Sequence, residues 1–333
     1  MTNEKNQKSD TLDTGAIGTG ANIPVNSTTP VVSISPVVLL VPGRAVDLEM
    51  RVSAPTTGNE LPIILLSHGY GKSNNLSSLN GCAPLANFWA AHGFVVIQPT
   101  HLNSKTLNLD ASHDGWPLFW RSCVEDMKHI IDQLDYIEAS VPELKGRLDR
   151  SRIAAAGYSM GGHTAGMLLG AQLVDPEDGT VVSMVEPRVK AGVLIGAPGK
   201  GGAEMSPFAT EHYPFLLHPS FAEMTTPALV VAGDKDVSPL FTTRGADWRA
   251  DSYFLSNGPK CLLTLFGATH SFGGISGYDA AETTDENPER VAAVQKLTWA
   301  YLRTALYPED TAWPATCAEL KKNPNPQGHV ECK

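Results

Sequence analysis

Four short segments of this chain carry residues that could do chemistry together. The first is Gly157-Tyr158-Ser159-Met160-Gly161-Gly162, which fits the pattern G-x-S-x-G. It lies between an apolar run that reads as a strand, Arg152 to Ala156, and a Gly/Ala-rich run at 160–172 that reads as a helix. That context gives the motif its meaning. A serine hydroxyl is a poor nucleophile until a base takes its proton and its geometry is fixed. A sharp strand-to-helix turn fixes it, glycines on either side remove clashing side chains, and the helix N-terminus offers amide dipoles to a developing oxyanion.

The other three segments supply partners. Gly267-Ala268-Thr269-His270-Ser271-Phe272 follows the strand-like run Cys261 to Phe266, and His270 is the candidate base because imidazole titrates near neutrality. Gly233-Asp234-Lys235-Asp236-Val237-Ser238-Pro239 follows the strand-like run Ala228 to Ala232. A carboxylate there could orient the histidine. Asp236 lies farther beyond the strand end and is favoured; Asp234 could instead brace the turn or pair with Lys235. Ser67-His68-Gly69-Tyr70-Gly71 follows the run Ile63 to Ser67. An oxyanion hole takes one amide from the residue after the nucleophile, here Met160, and one from such an earlier loop, here Tyr70. His68 comes first in chain order and reads as a loop residue rather than a base.

These segments need a scaffold that brings strand ends together. Short apolar runs (37–41, 47–54, 63–67, 94–97, 152–156, 191–195, 228–232, 261–266) alternate with helical patterns at 82–92, 123–137, 160–172 and 287–306. The pattern predicts an α/β protein with a mostly parallel central sheet and helices on both faces. In such sheets ligands bind beyond the carboxyl ends of the strands. Residues 1–30 read as a flexible tail and 31–333 as one domain. The Gly/Pro/Met-rich stretch at 198–226 reads as a cap over the site, contributing Tyr213, Pro214 and Phe215, or as a long connection. Trp116, Phe119 and Trp120 form an aromatic stretch that could line an acyl pocket or pack in the core. Arg121 and Asp126 are candidates for a structural pair, and His163, four residues after Ser159, for a buried neighbour of the turn.

The four motifs together resemble the α/β-hydrolase superfamily. Within it the chain is similar to the group of dienelactone-hydrolase-like proteins, platelet-activating-factor acetylhydrolases, chlorophyllases and cutinase-like polyester hydrolases. The matching elements are SHGYG at 67–71, GYSMGG at 157–162, GDKDVSP at 233–239 and GATHSF at 267–272, and the likeness extends over about 35–310. The resemblance implies Ser159 as nucleophile, His270 as base, Asp236 as acid, and the Tyr70 and Met160 amides as oxyanion donors. It implies a carboxylic ester hydrolase acting through an acyl-enzyme on a small-molecule or polymeric ester, with no cofactor. It departs from the simplest dienelactone hydrolases, whose nucleophile is cysteine. Lyase or acyl-transfer chemistry on the same triad, or a low-turnover binding protein, are the alternatives.

Composition narrows the partners. The formal charge of −10 disfavours nucleic acid. No run reaches the ~18 apolar residues of a membrane helix. No C-x-x-C or H-x-x-x-H occurs, so no metal site is expected. The polar start MTNEKNQKSD lacks a signal-peptide core, so a cytoplasmic protein is expected, or a secreted one if the natural chain begins earlier. Of the five cysteines, Cys317 and Cys332 are close enough in sequence to bridge, or all five stay free thiols.

Overall fold

The computed structural model describes residues 23–71, 73–277, 280–322 and 326–333. Its centre is a nine-stranded sheet. The strands are β1 (Val31–Leu39), β2 (Leu48–Pro55), β3 (Leu61–Ser67), β4 (Val95–Pro99), β5 (Leu148–Tyr158), β8 (Val189–Ile195), β9 (Ala228–Gly233), β10 (Lys260–Leu265) and β11 (Gly328–Cys332). Their spatial order is β1-β2-β4-β3-β5-β8-β9-β10-β11. The six strands from β4 to β10 run parallel, while β1, β2 and β11 pair antiparallel at the two edges. A separate two-stranded hairpin joins β6 (Gln172–Val174) to β7 (Val181–Ser183).

The inner strands are almost wholly apolar because both of their faces are covered. Successive residues point to opposite faces. On β3, Ile63 and Leu65 join one core with α2 (Trp120–Asp132) and α4 (Met160–Leu168). Ile64 and Leu66 join a second core with α1 (Ala83–Ala91) and α7 (Pro288–Leu306). Helices therefore clamp the sheet from both sides. A short α6 (Asp251–Phe254) precedes β10, and α8 (Ala312–Lys322) leads from α7 to β11. No helix among the described residues is long and apolar enough to cross a membrane.

Several local expectations change. Residues 1–22 of the expected tail lie outside the described residues; 23–30 run mostly exposed but are anchored to the domain. Ile23 is buried, the Asn26 carbonyl meets the His92 ring at 2.9 Å, and the Thr29 amide donates to the Ala91 carbonyl. The single helix expected at 123–137 is two, α2 and α3 (Leu134–Ser140), broken at Gln133. Cys332 bridges Cys261, not Cys317, because antiparallel pairing of β10 and β11 puts Cys261 and Cys332 in register. Arg121 pairs with Asp175, and Asp126 pairs with Arg44. The stretch 198–226 folds into α5 (Pro207–His212) and a tight turn at 214–216. It is tied to the loop after β9 where the Thr242 hydroxyl donates to the Glu204 carbonyl and the Ser206 amide to the Phe241 carbonyl.

Candidate active site

Ser159 occupies the turn between β5 and α4 with φ 55° and ψ −119°. Such a conformation costs a non-glycine residue about 1–3 kcal/mol and persists only where its surroundings enforce it. Here they do. A Cβ on Gly157 would lie 1.9 Å from the Gly161 carbonyl oxygen, and one on Gly161 would lie 2.1 Å from the Ser67 carbonyl oxygen. The strand, the helix and the loop after β3 are thus packed backbone to backbone, and only glycine fits at either contact.

The Ser159 hydroxyl meets His270, which stands on the loop after β10. The Oγ–Nε2 distance is 2.9 Å. On the other edge of the ring, Nδ1 meets Asp236 Oδ2 at 2.8 Å. Asp236 stands on the loop after β9, so three strand ends supply the three groups. Asp234 does something else: its Oδ1 accepts the Gly267 amide at 2.7 Å and ties the two loops together.

Two further groups hold this line. Arg249 is buried beside Asp236, with Nε 3.3 Å from Oδ2. Its other nitrogens donate to the Gly196 carbonyl at 3.0 Å and to Ser238 Oγ at 3.1 Å. The Tyr158 hydroxyl donates to the His270 carbonyl at 2.8 Å. Burial works against the Asp236 charge, but the His270 hydrogen bond and the charges of His270 and Arg249 outweigh it and hold the carboxyl below its ordinary range. Burial pushes the His270 imidazole below its ordinary value and Arg249 pushes it the same way, against the opposing pull of Asp236. The ring therefore rests neutral at pH 7 and able to accept a proton.

The loop after β3 lies against the nucleophile. A Cβ on Gly69 would come within 3.3 Å of the Ser159 Cβ. Met160 opens α4, where a backbone N–H has no helical acceptor. Neither its N–H nor that of Tyr70 donates to an acceptor among the described residues. Tyr70, Met160 and Ser159 line one cavity.

A cavity of about 240 Å³ opens on this group. Tyr70, Met160, Tyr213, Leu240, Phe241 and Trp248 wall it. Tyr213 stacks on Phe241 and Phe241 on Trp248, with centroids 5.4 and 6.2 Å apart. The aromatic stretch expected to line it lies elsewhere. Trp116 is about half exposed, and Phe119 packs with Leu102 and Cys123. Trp120 stacks on Phe215 instead of facing the cavity. Of the three residues expected from the cap segment, Tyr213 does reach the wall. His163 packs edge-on to Phe215 and does not join the line. Among the described residues no cluster of three His, Cys, Asp or Glu side chains is placed to hold a metal ion.

A second constellation of the same residue types lies beneath the loop after β3. Ser67 Oγ is 3.0 Å from His101 Nε2, and His101 Nδ1 is 2.9 Å from Asp126 Oδ2. Arg44 closes the far end, its Nε and Nη2 donating to the two Asp126 oxygens at 2.9 and 3.2 Å. Nothing in the sequence announces it, since its members come from four separate segments. Arg249, Phe241 and Trp248 were equally silent, for they lie in no motif. Compared with protein-family models and with curated proteins, the chain matches none.

Proposed function

We propose that this chain is a serine carboxylic ester hydrolase built on an α/β-hydrolase fold. One observation carries the reading: an unbroken line of hydrogen-bond distances, 2.9 and 2.8 Å, joins Ser159 through His270 to Asp236 at a strained strand-to-helix turn. The strand order, with each of the three residues placed just past the carboxyl end of a parallel strand, supports the fold. The two unclaimed amides of Tyr70 and Met160 support the reaction class.

In this reading neutral His270 takes the Ser159 proton as Oγ attacks the ester carbonyl. Asp236 orients the ring and stabilises the imidazolium that forms. The carbonyl π electrons move onto oxygen, which the Tyr70 and Met160 amides receive. The C–O bond to the alcohol breaks as His270 returns the proton to the leaving oxygen. Water then attacks the acyl-enzyme with the same histidine as base, releasing the acid and the free serine. The apolar, aromatic wall suits an uncharged acyl or alcohol group.

The test is hydrolysis of p-nitrophenyl esters of increasing acyl length by the parent protein and by Ser159→Ala. Turnover by the parent that is lost in a folded Ser159→Ala supports the reading, and the chain-length profile sizes the cavity. Turnover that survives the substitution, or a parent inactive on every ester, sinks it.

A further inference from the structure

The Tyr70 amide is useful to an oxyanion only if it points the right way, and the structure contains a device that sets its direction. The peptide linking Gly69 to Tyr70 is one rigid unit. In a trans peptide the carbonyl of the first residue and the N–H of the next point in opposite directions. Whatever holds the Gly69 carbonyl therefore aims the Tyr70 N–H. That carbonyl lies 2.8 Å from Nδ1 of His68, which is buried.

The protonation of His68 is set by its other nitrogen. Nε2 lies 3.1 Å from the backbone nitrogen of His101. An amide N–H can only donate, so Nε2 must accept and carry no proton. In the neutral ring the proton then sits on Nδ1, facing the Gly69 carbonyl. Burial and the neighbouring His101 push His68 down to about 3, so the ring stays neutral. His101 is itself fixed, since its ring is held between Ser67 Oγ and Asp126, and Asp126 is held by Arg44. Arg44 also donates to the Thr100 carbonyl at 2.9 Å, immediately before His101.

We propose that His68 is a positioning residue: its Nδ1–H pins the Gly69 carbonyl so that the Tyr70 amide faces the oxyanion, and the buried chain His101–Asp126–Arg44 locks His68 in the tautomer that does this. The role rests on the serine hydrolase reading. His68 touches no reacting atom, and its contribution is the orientation of one peptide plane.

Two measurements test it. The first is the tautomer of His68 in the parent protein, read from imidazole nitrogen shifts of protein labelled with ¹⁵N-histidine. The Nδ1–H form is expected, although free imidazole side chains favour the other, and an Nε2–H signal overturns the proposal. The second compares His68→Asn with His68→Gln. The Asn amide keeps a donor near the Nδ1 position, whereas the Gln carbonyl keeps an acceptor near the Nε2 position. Since deleting an oxyanion donor outright costs about 10²–10³ in kcat, misaiming one by His68→Gln is expected to cost about tenfold or more, with KM little changed. His68→Asn retains kcat within about threefold of the parent protein by the same reasoning. Equal loss in both folded variants, no loss in either, or a change confined to KM overturns the role. An inactive parent sinks the hydrolase reading and the role with it. An active parent with the wrong tautomer or equal variants sinks the role alone.

Discussion

Among the described residues two Ser–His–Asp lines stand out, each with an arginine on its carboxylate. One runs Ser159, His270, Asp236, Arg249; the other runs Ser67, His101, Asp126, Arg44. Their hydrogen-bond distances are nearly the same. What differs is the serine and its surroundings. Ser67 ends a regular strand and is fully buried, and the His101 side chain is 1% exposed. Ser159 sits at a positive φ and lines a cavity, and the His270 side chain is 36% exposed. On the proposed reading, residue types and distances alone do not make a reactive serine. Access for a carbonyl, a backbone that projects the hydroxyl, and amides with no other acceptor separate the two lines. The buried line lacks the first two, since Ser67 is fully buried in a regular strand, and it is expected to act as a brace. Burying so many polar groups is tolerable only because each is paired.

The largest effect that can break this contrast is on the serines. Ser159→Ala is expected to lower kcat on a p-nitrophenyl ester by about 10⁴-fold or more. Ser67→Ala, by the same steady-state assay, lowers it by less than about tenfold, because it removes one buried hydrogen bond rather than the nucleophile. Comparable losses in both would erase the distinction.

The aspartates sharpen it by separating activity from stability. Asp236→Asn is expected to cost about 10⁴ in kcat in a variant that remains folded under the assay conditions. Asp126→Ala strands the buried Arg44 guanidinium and is expected to lower unfolding free energy by about 3–5 kcal/mol in urea titration. A stable Asp126→Ala protein would show that the buried line is not a brace.

The pH profile addresses the arginine of the exposed line. Protonated His270 cannot take the serine proton, so kcat/KM falls as pH drops through its pKa. Burial and Arg249 both lower that pKa, which places the acid limb below the ordinary imidazole value. Arg249→Met removes one of the two depressing influences, so the limb moves to higher pH, while Arg249→Lys keeps the charge and moves it less. An acid limb at the same pH in all three proteins would remove Arg249 from the relay. The smallest effect expected is that of Tyr158→Phe, which leaves the His270 carbonyl without its donor. It costs about 1 kcal/mol in urea titration, with a few-fold drop in kcat.

The turn around Ser159 and the mixed α/β scaffold were legible in the chain, because both follow from short-range rules. Gly157 and Gly161 are required by contacts of about 2 Å within and beside a single turn, and alternating apolar runs and helices leave few arrangements besides a covered parallel sheet. That Asp236 rather than Asp234 stands beside His270 was legible from its place farther past the strand end. Strand order decided the rest. The Cys261–Cys332 bridge needs β11 laid antiparallel on β10. The aromatic wall of Tyr213, Phe241 and Trp248 draws on two distant loops, so the cluster of rings at 116–120 was a poor guide to it. The line Ser67–His101–Asp126–Arg44 joins residues up to 82 apart in sequence. Local sterics are written in a few neighbouring residues; a contact between distant segments is decided only when the whole sheet has formed.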